Sequence, residues 1–161
     1  MKKLTEKQAA YLAGFIDADG SIIAQIVKRE DYVLKFQIRV SILLIQKKKR
    51  VHFLKQVQSE LGDVGTVRDR GDGIAEFALV GTTNTLQLLK QIRSCLRLKQ
   101  KQADLIIRIS EQLILTKNDP QQFLALCELA DRVADLNDSK HRSITTETVK
   151  RRFQDLGFVS K

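Results

Sequence analysis

The 161 residues contain one proline, two cysteines and no tryptophan, and no apolar run approaches the roughly 18 residues that cross a bilayer. Each absence excludes something. So little proline and only 8 glycines, beside 43% apolar residues, argue against a low-complexity or disordered chain and for a buried core. Cys95 and Cys127 lie far apart with no CxxC, and His52 and His141 are the only histidines. A closed Cys/His zinc site therefore cannot be assembled within one chain, and a reducing compartment fits. The start Met1-Lys2-Lys3 imitates a secretory n-region, but Glu6, Lys7, Asp17 and Asp19 interrupt what would have to be its apolar stretch. No export signal or membrane partner is expected. What is plentiful is positive charge: 28 Lys and Arg against 19 Asp and Glu leave a formal charge of +9. One basic domain, covering 1–161, is the simplest organisation.

Hydrophobic spacing divides the chain into elements. Residues 6 to 19 are rich in Ala and Leu and stop at Gly20, where a C′ glycine would end a helix. From Ser21 the period drops to two. Ile22, Ala24 and Ile26 face one way and Ile23, Gln25, Val27 and Arg29 the other. Phe36, Ile38, Val40, Ile42 and Leu44 then alternate with Gln37, Arg39 and Ser41, which predicts a hairpin turning around Lys28 to Val33. Val51, Leu54 and Val57 restore helical spacing over 47 to 60, before Leu61-Gly62. A second hairpin turns at Gly71-Asp72-Gly73, between Val67 and the Phe77/Leu79 strand. Helices follow at Leu86 to Ile92, at 99 to 114, at 120 to 136 behind Asp119-Pro120, and at about 145 to 156. Paired antiparallel strands separated by helices indicate an α+β fold with helices on one face of the sheet.

The other sheet face carries Gln25, Arg29, Lys35, Gln37, Arg39, Ser41, Arg68, Arg70 and Glu76. Plain solvation of a half-exposed sheet produces such a face. It also suits DNA, because Arg and Gln pair bidentately with guanine and adenine edges and a two-stranded ribbon enters the major groove.

The stretch Leu12-Ala13-Gly14-Phe15-Ile16-Asp17-Ala18-Asp19-Gly20 is unusual for a helix end. Two carboxylates fall in the last turn, where the dipole's negative end disfavours them, so something must compensate. Ala10, Gly14 and Ala18 form a small-residue stripe, and a glycine inside a helix costs about 1 kcal/mol relative to alanine. Close packing by another helix would account for it. Lys47-Lys48-Lys49-Arg50 opens the next helix, where cations oppose the dipole and phosphate binding is favoured.

Residues 12 to 20 resemble the motif of LAGLIDADG homing endonucleases. The αββαββα order, Gln46 with Arg50, Val67-Arg68-Asp69-Arg70-Gly71, Leu98-Lys99-Gln100-Lys101-Gln102-Ala103 and Leu136-Asn137-Asp138-Ser139-Lys140 extend the resemblance along the chain. They match the single-motif, homodimeric branch found in green-algal organelle introns. The resemblance implies a saddle-shaped antiparallel sheet in a core of about 6–136, additional C-terminal helices, and a segment at about 137–156 that meets the DNA backbone. It also implies a homodimer packed through Ala10, Leu12, Ala13, Gly14, Asp17 and Ala18. The target is then double-stranded DNA with a pseudo-palindromic site.

Asp19 and the carbonyl of Ala18 would bind Mg²⁺, with Mn²⁺ also supporting activity and Ca²⁺ binding without efficient cleavage. Gln46, Arg50 and Lys99 would surround the metal and order the attacking water, and Asp17 would hold the helix end. Tyr32 joins the reading set, and Lys140, His141, Arg142 and Ser143 would grip phosphates. The implied activity is double-strand cleavage across the minor groove, leaving 3′ overhangs and serving intron homing in an organelle such as the chloroplast. RNA maturation and non-cleaving repression are the alternatives on the same fold. The departures are Ala18 where near relatives often have Gly, Val27 and Leu43 on the reading face, and an Asp72-Gly73 turn one residue longer.

Overall fold

The computed structural model describes residues 1–116, 118–137 and 142–160. Helix α1 (Glu6–Asp19) opens with a capping box, in which Thr5 accepts the Gln8 N–H and the Gln8 side chain accepts the Thr5 N–H. Strand β1 (Gly20–Lys28) follows without a loop. Gly20 is not the expected left-handed cap: its φ of −92° and ψ of 168° are extended, as any residue can be. It is glycine because of crowding. A Cβ there would stand 2.8 Å from Ile16 Cα and 3.0 Å from Leu44 Cδ2.

Strand β2 (Phe36–Lys47) runs past the predicted end at Leu44, so Gln46 lies on the strand. Lys48–Arg50 form a 3₁₀ turn, and only then does α2 (Val51–Glu60) begin. The predicted helix start at 47 is thereby corrected, because Gln46 and Lys47 pair with β4 across from Ala75 and Ile74. Strands β3 (Thr66–Asp69) and β4 (Ile74–Val80) form the second hairpin. Helices α3 (Thr82–Ile92), α4 (Gln100–Leu113), α5 (Pro120–Leu136) and α6 (Thr146–Asp155) complete the order. α5 starts as read from sequence, with the Asp119 side chain accepting the Gln122 N–H and Pro120 in the first turn.

The sheet order is β1-β2-β4-β3, antiparallel throughout. The predicted core face is the buried one: Phe36, Ile38, Val40, Ile42 and Leu44 of β2 are packed with Ile22, Ala24 and Ile26 of β1 and Phe77 and Leu79 of β4. Helices α1 to α5 pack against this sheet. β1 is an edge strand, and its Ile22 carbonyl accepts a 2.7 Å bond from Asn137 Nδ2, which blunts the edge. α6 buries Val149 and Phe153; the Phe153 ring lies 5.5 to 6.2 Å from those of Phe36, Phe123 and Phe158.

Candidate functional site

Asp17 supplies the compensation that two acids at a helix end require. Its carboxylate accepts the backbone N–H groups of Arg97 at 2.7 Å and Lys99 at 2.9 Å, while Lys99 Nζ donates back to the Asp17 carbonyl. An ammonium thus sits at the negative end of α1. Partial burial pushes the Asp17 carboxyl up, but those N–H groups and the Lys99 charge outweigh it and hold it below the usual carboxylate range. The effect is to bolt the end of α1 to the start of α4 and to fix Lys99.

Asp19, two residues on, is exposed. The β1–β2 register sets Gly20 opposite Leu44, so Asp19 and Gln46 leave the sheet at the same end. Arg50 Nη1 donates to Gln46 Oε1 at 3.3 Å, which joins those two side chains. Lys48 pins this turn to the second hairpin through its N–H to the Gly73 carbonyl at 2.8 Å and its Nζ to Asp69 Oδ2 at 2.5 Å. Asp19, Gln46, Arg50 and Lys99, scattered in sequence, therefore share one end of the molecule. Among the described residues no three His, Cys, Asp or Glu side chains gather as a metal cage. One exposed carboxylate with an adjacent carbonyl is still a donor set that suits Mg²⁺, which keeps waters and takes substrate phosphates as its other ligands.

The dimer residues divide between two faces. Ala10, Gly14 and Ala18 are exposed, and a Cβ on Gly14 would meet nothing within 4 Å, so no packing within the chain explains that glycine. Leu12 and Ala13, grouped with the contact stripe in the sequence reading, are corrected: they are 5% and 0% exposed and belong to the chain's own core. Tyr11 and Leu98, 63% and 75% exposed, are the apolar neighbours that the sequence reading missed.

On the outer sheet face, register decides which side chains meet. Gln25 stands opposite Arg39, whose Nη2 donates to Gln25 Oε1 at 3.0 Å. Val27 faces Gln37, and Leu43 lies between Ser21 and Ala78. Ser41 is buried between Ile23 and Val80. Arg68 faces Glu76, and both its Nε and Nη2 reach Glu76 Oε1, at 2.9 and 2.7 Å. Glu76 is only 5% exposed, so its carboxylate serves Arg68 rather than lying open on the surface. Arg70 pairs with Asp72 at 3.4 Å.

Arg29 and Lys35 lie just outside the strands. Lys35 has a φ of 60°, and its Nζ folds onto the Glu30 carbonyl, which removes it from the strand alternation predicted for it. Tyr32 is exposed beneath the Arg29 guanidinium. Lys140 and His141 lie outside the described residues. Arg142 is turned inward: its guanidinium pairs with Asp131 and Asp135 of α5, so it fastens the chain before α6. Ser143 is exposed and lines a cleft of about 730 Å³ along β1, with Lys99, Gln25 and Arg39.

A paired acid-and-lysine helix end beside an antiparallel sheet with a cationic outer face defines a class. The LAGLIDADG endonuclease model matches residues 12–111, and the chain belongs to that family. It is 46% identical over 150 residues to DNA endonuclease I-CvuI of Chlorella vulgaris, covering 93% of this chain and 92% of that protein. It is 43% identical over 148 residues to DNA endonuclease I-CreI of Chlamydomonas reinhardtii, covering 92% and 90%. The structure of I-CvuI in complex with its target in the presence of Ca superposes with a TM-score of 0.90 at 44% identity, over 95% of this chain and 96% of that one. The archaeal intron-encoded homing endonuclease I-Vdi141I, complexed with DNA, shares the fold at a TM-score of 0.82 and 16% identity, over 96% and 99%.

Proposed function

We propose that this chain is a homodimeric, Mg²⁺-dependent, site-specific double-strand DNA endonuclease of intron homing. What supports this reading is the placement of exposed Asp19, the Gln46–Arg50 pair and tethered Lys99 toward one end of a cation-rich sheet. A divalent ion bound at Asp19 would supply charge neutralisation and make an attacking water more acidic. The chain's own groups do the rest. The Asp19 carboxylate and Ala18 carbonyl would hold the ion, Gln46 and Arg50 would orient water, and Lys99 and Arg50 would face charge developing on the scissile phosphate.

One such set per chain cuts one strand, so two copies are needed for a double-strand break. The exposed Ala10, Gly14 and Ala18 stripe, flanked by exposed Tyr11 and Leu98, supports packing of a second α1 there. Isologous pairing then presents two identical reading faces and calls for a pseudo-palindromic site. Cutting across the central minor groove leaves 3′ overhangs. The algal sources of the two relatives support an organelle, and a chloroplast setting in particular. I-CvuI was found bound to the I-CreI target, uncleaved, in the presence of 2 mM Mg, so binding and cutting are to be read separately when this chain's own target is identified.

The test is cleavage of intron-lacking organelle ribosomal DNA by wild type and Asp19→Asn, each with Mg²⁺, Mn²⁺ and Ca²⁺. A discrete cut with Mg²⁺ and Mn²⁺, lost in Asp19→Asn while duplex binding persists, is the expected result. Full activity of Asp19→Asn would overturn the assignment. Binding without any cut on every target would move the chain to a repressor, or to RNA.

A further inference from the structure

At the end of the sheet remote from Asp19, the loop joining β1 to β2 is a built object. The Arg29 N–H donates to the Lys35 carbonyl at 2.8 Å, the Tyr32 N–H to the Arg29 carbonyl at 3.0 Å, and the Lys35 N–H to the Tyr32 carbonyl at 3.0 Å. Inside this turn three of the five N–H groups of the Arg29 guanidinium are engaged, while the Arg29 and Asp31 side chains stay 41% and 63% exposed. Nε donates to Asp31 Oδ1 at 3.0 Å and Nη2 to Asp31 Oδ2 at 2.9 Å, Nη1 reaches Gln37 Oε1 at 3.4 Å, and Cζ lies 4.7 Å from the Tyr32 ring centroid. The side-on fork of Nε and Nη2, one of the two that can read guanine O6 and N7, is occupied by a carboxylate, and one face of the guanidinium plane is covered by an aromatic ring.

The position matters for DNA. β1 has 9 residues from Gly20 to Lys28. At about 3.3 Å per residue, against a duplex rise of about 3.4 Å, the loop stands roughly eight or nine base pairs from the Asp19 end. An acid at a surface facing a polyanion does not add to binding by charge, so what Asp31 contributes there is direction: it decides what Arg29 points at.

We propose that Asp31 is a specificity-determining residue that withholds Arg29 from the outer base pairs, leaving the chain indifferent to guanine at the pair this loop faces. The proposal rests on the DNA-cleaving reading above. With Asp31 replaced by Ala, the guanidinium fork is released beside Gln37 on the reading face. Guanine preference then appears at one outer pair in each half-site. The enrichment is about 5-fold to 150-fold, the discrimination of one bidentate pair.

The experiment is selection of bound duplexes from a library randomised across a full site, in the presence of Ca²⁺ and at one salt concentration. Wild type, Asp31→Ala and the double variant Asp31→Ala with Arg29→Lys are compared, each first checked for an unchanged melting transition. Wild type should select an inner core and show no guanine preference at the outer pair. Asp31→Ala should add that preference, and Arg29→Lys should remove it again, because an ammonium lacks the fork. An equal rise in affinity for every sequence, the signature of one fewer negative charge, would overturn the proposal. So would an outer profile identical to that of wild type. A wild type that selects no core at all would instead sink the endonuclease reading itself.

Discussion

Replacing Asp17 by Ala tests the bolt that fixes the active end. The substitution removes two charge-assisted acceptor bonds, from the Arg97 and Lys99 N–H groups at 2.7 and 2.9 Å. Bonds of this kind contribute about 1.5–3 kcal/mol each. Asp17 is half-buried, so water can reach the orphaned N–H groups and the lower part of that range applies. The expected loss is about 3–4 kcal/mol. Urea unfolding at fixed protein concentration reads it as a lower midpoint with an unchanged slope. Asp17→Asn, keeping one acceptor oxygen, should fall between the two.

The pH profile checks the same carboxylate independently. Its folded value is held below the ordinary value of 3.8, so its stabilisation is fully present above that value and is lost as pH falls through the folded one. The Ala variant should therefore show a shallower loss of stability below about pH 4 than wild type. Cleavage should fall as well, since Lys99 loses one side of its tether. An unfolding midpoint equal to that of wild type, with an unchanged acid limb, would refute the reasoning.

Two other substitutions probe how the site is carried. Gly20→Ala forces a Cβ to within 2.8 Å of Ile16 Cα, a backbone atom that cannot swing aside; a loss of about 1–3 kcal/mol in thermal melting is expected, with weaker cleavage because Asp19 is displaced. An unchanged melting temperature would show that the helix-to-strand corner is not tight. Phe153→Ala empties a fully buried site among Phe36, Phe123 and Phe158 and should cost about 3–5 kcal/mol by chemical denaturation. A loss under about 1 kcal/mol would mean that α6 is not part of the cooperative unit.

Much of the fold is legible in the sequence because alternation and helical spacing are local signals. The run from Phe36 to Leu44 declares its buried face by itself, and Asp119-Pro120 declares a helix start. What spacing does not carry is register and order. Nothing in Arg68 or Glu76 alone announces that a turn at Gly71-Asp72-Gly73 sets them opposite one another, or that β4 rather than β3 lies beside β2. Gly20 reads as a cap because helix-ending glycines usually are, whereas its need for glycine comes from Ile16, one helical turn back, and from Leu44 on the neighbouring strand.

The catalytic positions follow the same division. Two acids in the last turn of α1 stand out as an anomaly, but Gln46, Arg50 and Lys99 are singled out only by resemblance, since each alone is an ordinary surface side chain. Their placement at one end depends on the Gly20–Leu44 register and on Asp17 reaching residues eighty places away. The cations of the reading face make the point most sharply. Counting Arg and Lys gives a positive surface, yet Arg29, Arg68 and Arg70 each have an acid within 3.4 Å. Charge alone therefore predicts salt-dependent attraction to any duplex, while the acids that aim or withhold each guanidinium set which sequence is held.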